Sequence, residues 1–466
     1  MFPLRERKYM NKLFQHIMRS LTLAVALLWG AASVALAMHG NVEVAGVTGT
    51  DFQFTARSGY ITTGDGNNVY FWGYANGSSA VQYPGPTLIV SEGATVTIRL
   101  VSQLPEATSL VIPGFSVTAT GGQPGLLTRE APADGVTAVT YTFVADRPGT
   151  FTYYSGTHSD LQVEMGLLGA LIVRPTNFNA MDPMLRTAYG DARSAYDQEY
   201  LYLLSEMDLE THIRAEKGLF SEIDTSRFWP VYWFINGRTA PDTMLSDNVS
   251  WLPNQPYGAM TMMNAGERVL MRMIGGGRDL HPFHTHGNNF DQIARDGWLL
   301  ATPTDLGTRT AEVGVIPDKS ISDFTQTVVP GATHDAIFAW TGRGLGWDIY
   351  DGSNPNHMMA TLVDANLDGF DDNTYEYIAD HGKPFPVILP GQQEVTFGAF
   401  YSGSPFLGAA GSLPPGEGGN NPNSGFAFMW HSHNEKEMTN NDIFPGGLMT
   451  MVIVEAPVVE APMPMP

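Results

Sequence analysis

The sequence has no cysteine among its 466 residues. That excludes disulfides, zinc-thiolate sites and any copper centre built on a thiolate. Basic residues are scarce as well: 25 Lys and Arg face 47 Asp and Glu, a net charge of −22. Such a balance argues against nucleic acid or an anionic membrane as partner. Long apolar runs are also missing. The run from Leu21 to Leu28 is too short for a membrane span, and no later stretch is long enough to be one. It follows Arg5, Arg7, Lys8, Lys12 and Arg19 and precedes Ala35-Leu36-Ala37, the basic, apolar and small-residue order of an export signal. Residues 1–37 therefore read as a signal peptide, and the mature protein is expected to be periplasmic or secreted. There is no phosphate loop, nucleophile elbow or nucleotide fingerprint.

What is abundant is turn chemistry, with 50 Gly and 31 Pro, alongside 43% hydrophobic residues that suffice for real cores. Short β-type runs are punctuated by Gly, Pro, Asn and Asp, which reads as all-β, in antiparallel sandwiches. Expected strands include Val69 to Tyr74, Thr87 to Val90, Thr95 to Val101, Ala138 to Phe143, Gly149 to Tyr154 and Leu167 to Val173, closing a first domain over 38–175. Residues 176–198 read as a linker with a short helix. A second, enlarged unit spans 199–456, with strands at Val231 to Asn236, Tyr257 to Met263, Arg268 to Ile274, Phe324 to Val329, Ala336 to Trp340 and Glu394 to Tyr401, and an insertion at about 300–395. The Pro/Met tail 457–466 lacks core-forming periodicity and is expected to be extended.

The chemistry sits in two stretches, His281-Pro-Phe-His284-Thr-His286-Gly287 and Trp430-His431-Ser432-His433. Side chains alternate faces along a strand, so each His-x-His pair presents two imidazoles on one side. Two such strands together would surround one cavity with imidazoles, and His281 lies nearby. Imidazole suits copper, zinc, iron and nickel, so His281, His284, His286, His431 and His433 are the candidate metal ligands. Hydrogen-bonded core histidines are the plainer reading for one pair; two pairs favour metal. Asp279, Asp291, Glu435 and Glu437 are candidate acids around the site.

Pro84-Gly85-Pro86-Thr87-Leu88-Ile89-Val90, Gly149-Thr150-Phe151, Ile235-Asn236-Gly237 and the two histidine stretches, in this order, resemble the multicopper oxidases. The resemblance implies tandem cupredoxin-like domains, which are Greek-key β-sandwiches, with a three-copper cluster and a separate blue copper. It would assign His281 to the blue copper and His284, His286, His431 and His433 to the cluster. The cysteine that holds the blue copper in that family is Ser432 here, and its other ligand positions fall on Glu437 and Leu448. The first-domain cluster ligands fall on Val111, Pro113, Tyr154 and Gly156, so half the cluster's ligands are missing. His158 lies two residues beyond, and Tyr153 and Tyr154 are expected near the vacated positions.

A second ion signal is Asp364, Asn366, Asp368 and Asp372 around Gly369, which resembles the start of an EF-hand-type calcium loop, although Tyr375 stands where the last carboxylate should be. Met260, Met262, Met263, Met271 and Met273 are read as core filling. The expected function is an exported multicopper-oxidase-like protein that binds copper, with zinc also possible, through a histidine half-site. Oxidoreductase activity at that half-site stays open, without a blue-copper centre, whereas ordinary laccase activity is not expected. The alternative is a metal-free cupredoxin scaffold with a partner in the cell envelope or a second copy of itself.

Overall fold

The computed structural model describes residues 43–302, 315–343, 363–372, 375–380, 403–404 and 425–455. The leader 1–37, most of the insertion, Trp347, the strand expected at Glu394 to Tyr401 and the tail 457–466 lie outside them.

Two pairs of facing sheets and a small hairpin, Gln123–Pro124 with Arg129–Glu130, hold the described strands. In the first pair, one sheet runs Val47–Thr48, Gly85–Ser91, Leu168–Arg174, Gly149–Tyr154. Opposite it lies Asn68–Asn76, Asp51–Thr62, Thr95–Ser102, Val139–Val144, Thr118–Gly121. The strand Thr95–Ser102 shows why: Val96, Ile98 and Leu100 point inward while Thr95 and Arg99 face solvent, the alternation of a half-buried strand. These residues meet Trp72, Tyr74, Leu88, Phe151 and Val173 in one core.

The second pair is larger. One sheet runs Tyr232–Ile235, Gln198–Met207, Arg268–Gly275, Thr333–Ala339, Phe290–Arg295, Trp298–Leu299. The other runs Thr261–Asn264, Met449–Glu455, Gly425–Ser432, His281–Thr285, Thr325–Val328. Between them lie Tyr202, Phe283, Phe338 and Trp430, together with Met263, Met271 and Met273, which fill the core as expected.

The sheets are mixed rather than antiparallel. Asp51–Thr62 pairs parallel with Thr95–Ser102, and Gln198–Met207 pairs parallel with Arg268–Gly275. A parallel pair needs a crossover, and in a sandwich the facing sheet supplies it, so turn signals alone do not distinguish the two patterns.

Every residue of Gln198–Met207 is buried. Tyr202 and Leu204 face the second core, whereas Leu201 and Leu203 pack with Phe71, Tyr83 and Ile172 of the first sandwich. A strand covered on both faces reads as a continuous apolar run. Polar residues at this junction are paired: Glu199 takes Arg174 at 2.6 Å and Arg272 at 2.5 Å, and Arg272 Nη1 donates to Thr150 Oγ1 at 2.7 Å. The stretch read as a linker is packed too, with Ala188 and Tyr196 against Leu270, Ile293 and Ile337. Its helical content is one turn, Ala192–Ser194, capped by Asp191. No helix among the described residues is long and apolar enough to cross a membrane.

Candidate metal centre

The strand His281–Thr285 is paired on both sides, with Thr325–Val328 and with Gly425–Ser432. Its register sets His284 directly opposite His431, and Phe283 opposite Ser432. Strand parity then separates the residues. Phe283 and Trp430 turn into the core, edge to face at 6.5 Å, while His284 and His431 occupy the other face. His286 follows on, held by its own N–H on the Met429 carbonyl at 3.2 Å and by Trp430 Nε1 donating to its carbonyl at 3.1 Å. Gly287 is required next: its φ is +100°, and a Cβ there would stand 2.9 Å from the Phe428 ring.

His284, His286 and His431 are buried, and each offers a ring nitrogen within 4.8 Å of the others. His431 Nδ1 donates to the Ser432 carbonyl at 2.6 Å, which leaves its Nε2 as a lone pair. That atom faces His286 Nε2 at 3.0 Å. His284 Nδ1 is engaged 2.7 Å from Thr325 Oγ1. His284 Nε2 and His286 Nδ1 are buried with no hydrogen-bond partner among the described residues. His433 is exposed, and its ring lies 4.7 Å from that of His284.

Burial, then the neighbouring His431 and His433, push His284 down to about 3. Burial, then His431, His284 and His433, push His286 to about 2. His431 is lowered as well, chiefly by burial. At neutral pH these rings are uncharged, the state in which imidazole binds a metal. Unpartnered buried nitrogens, convergence and neutrality together fit a bound late first-row ion. Two nitrogens 3.0 Å apart are also spaced for one ion at bond lengths of about 2.0–2.1 Å.

His281, also a candidate ligand by its sequence position, lies outside this group. It stands three residues before His284, on the opposite face of the strand. Its Nδ1 lies 2.8 Å from Glu437 Oε2 and its Nε2 3.0 Å from Glu206 Oε2. Burial would lower it, but hydrogen bonds and attraction from the two carboxylates prevail and raise it to about 9. Sequence reasoning missed Glu206 and Thr325. Glu206 carried a signal, as one of two acids, with Glu199, in a mostly apolar strand; Thr325 carried none.

The positions that the resemblance gave to a blue copper do come together. His281 bonds Glu437, the Leu448 N–H donates to the Glu437 carbonyl, and the Ser432 N–H donates to the Leu448 carbonyl. Of the other acids, Asp279 and Glu435 are exposed, and burial raises the Asp291 carboxyl on a neighbouring strand. In the first sandwich, Val111 bridges Tyr154, and Ser109 Oγ accepts from the Gly156 N–H at 3.1 Å. Tyr153 lies in the first core with its hydroxyl on the Pro86 carbonyl, and His158 is on the surface beside Glu106. Neither reaches the histidine group.

In the acidic loop, Asp364 accepts from the N–H groups of Asp368 and Gly369 at 3.0 Å, and Asp368 accepts from that of Phe370 at 2.8 Å. Asp372 accepts from the Ala365 N–H at 2.8 Å, and the Asn366 side chain donates to Asp368 at 3.0 Å. These oxygens close the loop's own turns.

Residues 57–177 match the family model described as multicopper oxidase. The chain is 30% identical over 217 residues to a copper resistance protein A homolog of Pseudomonas syringae pv. tomato, covering 46% of this chain and 31% of that protein. It is 31% identical over 234 residues to a copper-containing nitrite reductase of Alcaligenes xylosoxydans xylosoxydans, covering 49% and 64%. The matched stretch thus spans about a third of the copper resistance protein. Among solved structures, the multicopper oxidase mgLAC superposes with a TM-score of 0.51 at 17% identity over 89% of this chain and 88% of that one. This last likeness concerns the fold, which is the cupredoxin-like sandwich.

Proposed function

We propose that the chain is a multicopper-oxidase-like, exported protein that binds copper through a histidine half-site in its second sandwich, without a thiolate copper centre. The supporting observation is the convergence of His284, His286 and His431 as buried, neutral imidazoles whose ring nitrogens lie within 4.8 Å of one another, with His284 Nε2 unused by the protein. Copper held there would supply a redox-active Lewis acid. The protein's part is orientation. Thr325 and the Ser432 carbonyl fix the rings of His284 and His431, and the strand register fixes their separation. His433 stands at the exposed rim, next to His284, as a fourth imidazole.

With no cysteine in the chain, electrons have no thiolate route and must arrive at the half-site itself. The first-sandwich positions offer no imidazoles, so four-electron oxidase chemistry is not part of the proposal. A metal-free scaffold has less support. It would keep the buried His284 Nε2 unpaired, at about 1–3 kcal/mol, with no return. The test is to load the mature chain, free of affinity histidines, with copper and measure bound metal and the visible spectrum. About one to two coppers per chain without a strong blue band are expected. A chain that retains no copper, or one with an intense blue band, overturns the proposal.

A further inference from the structure

Both histidine stretches are tied to one buried triad that touches none of the converging imidazoles. His281 opens the strand that carries His284 and leads to His286. Glu437 lies in the turn Glu435–Met438, immediately beyond His431 and His433. Glu206 belongs to Gln198–Met207, in the facing sheet. The side chains of Glu206 and His281 are completely buried and that of Glu437 is 3% exposed.

Each carboxylate is itself held. Glu206 Oε1 accepts from the backbone N–H groups of Arg278 and Asp279, at 2.5 and 2.9 Å. This close approach needs Gly277, where a Cβ would collide with the Glu206 carboxylate. Glu437 Oε1 accepts from Asn434 Nδ2 at 3.0 Å, and the Asn434 N–H donates to Ser432 Oγ, between the two histidines of the second pair. The His433 N–H donates to the Pro282 carbonyl at 2.8 Å, next to His281. Thus one end of the triad grips the turn behind the second pair, its centre grips the strand of the first, and its other end anchors both to the opposite sheet.

The carboxylates engage different nitrogens of one ring, on opposite sides of it. A single ion cannot take both carboxylates and one ring nitrogen from this arrangement, so the triad is a cross-link rather than a chelate.

We propose that Glu206, His281 and Glu437 form a positioning clamp that fixes the spacing between the two histidine stretches and thereby sets the affinity and coordination geometry of the metal. The proposal rests on the copper reading above. It makes these three residues determinants of the centre without contact with the ion. Supporting groups of this kind change metal affinity by about 10–100-fold when removed.

The test uses the full mature chain and copper(II) as probe, with affinity from chelator competition and geometry from the electron paramagnetic resonance spectrum. Glu437→Gln and Glu206→Gln are each expected to weaken copper about tenfold and to shift the spectrum in the same direction. Their double variant should lose little more, because both act through His281. Leu100→Ala, in the core of the first sandwich, controls for general destabilisation and should leave affinity and spectrum unchanged. If Glu437→Gln fails to fold, Glu206→Gln and Glu437→Asp carry the same comparison. Unchanged affinity and spectrum in the foldable clamp variants overturn the clamp alone. Equal weakening by Leu100→Ala also overturns it, and a wild-type chain that holds no copper overturns the clamp together with the copper reading.

Discussion

His286 and His431 are 145 residues apart in the chain, yet their Nε2 atoms lie 3.0 Å from each other. The carbonyl of Ser432 already takes the Nδ1 proton of His431. At most one proton therefore lies between the two Nε2 atoms, and once it is removed both lone pairs face the same point. The fold has spent two strands on bringing these atoms together.

Acid should destabilise the metal-free protein through these rings. The unfolded chain takes up protons below about 6.5, whereas the folded His284 and His286 resist until about 3 and 2. For bases lowered in the folded state, stability is fully present above the unfolded value and declines as pH falls from there. Denaturant midpoints at pH 7, 5.5 and 4.5 should fall in that order, and the slope should flatten in a His284→Ala/His286→Ala variant. An equal slope in that variant would remove these rings as the cause.

Alkali should act through His281. Its folded value is raised to about 9 by Glu206 and Glu437, with Asp279 and Arg278 as the adjacent charged groups. A raised base contributes stability that is complete below about 6.5 and is lost as pH rises through about 9. The thermal midpoint of the wild type should drop between pH 7 and pH 10 more than that of Glu437→Gln. Parallel curves would mean that the triad carries no such linkage.

Glu199 should matter to stability without touching the centre. Burial opposes its charge, but Arg174 and Arg272 hold it down at about 2. Removing one partner from a buried ion network costs about 3–5 kcal/mol, so Glu199→Gln should lower the denaturant midpoint sharply. Copper stoichiometry of the folded fraction should remain that of the wild type. Loss of copper from correctly folded variant protein would show that this junction reaches the centre after all.

Restoring a thiol should not restore a blue copper. In Ser432→Cys, His281 Nδ1 would still be held by Glu437, and Leu448 would still offer no ligand atom. The expected spectrum after copper loading has no intense thiolate-to-copper charge-transfer band. Its appearance would mean that the triad opens readily and that the position remains a copper site.

The sequence was most informative where a periodicity or a motif was local. His-x-His spacing put His284 with His286 on one face, and the turn-rich composition pointed to sandwiches. Parity also held the answer for His281, since an offset of three residues along a strand reverses the face, but motif proximity outweighed it. Glu206 could be suspected only as a charge in an apolar strand, because its partner lies 75 residues away. The parallel pairing of Asp51–Thr62 with Thr95–Ser102 was not legible, since it depends on a crossover between sheets rather than on any local signal. Tyr153, next in sequence to the vacated ligand position at Tyr154, packs its ring among Phe54 and Tyr74, the plainer of the two roles its sequence position offered.

The most direct measurement is copper per chain in the wild type and in His284→Ala/His433→Ala, each loaded and then passed through a chelating exchange step. Stoichiometric copper in the wild type and none in the folded double variant is the expected result. Full occupancy in the double variant would place the metal elsewhere and contradict the assignment of the centre.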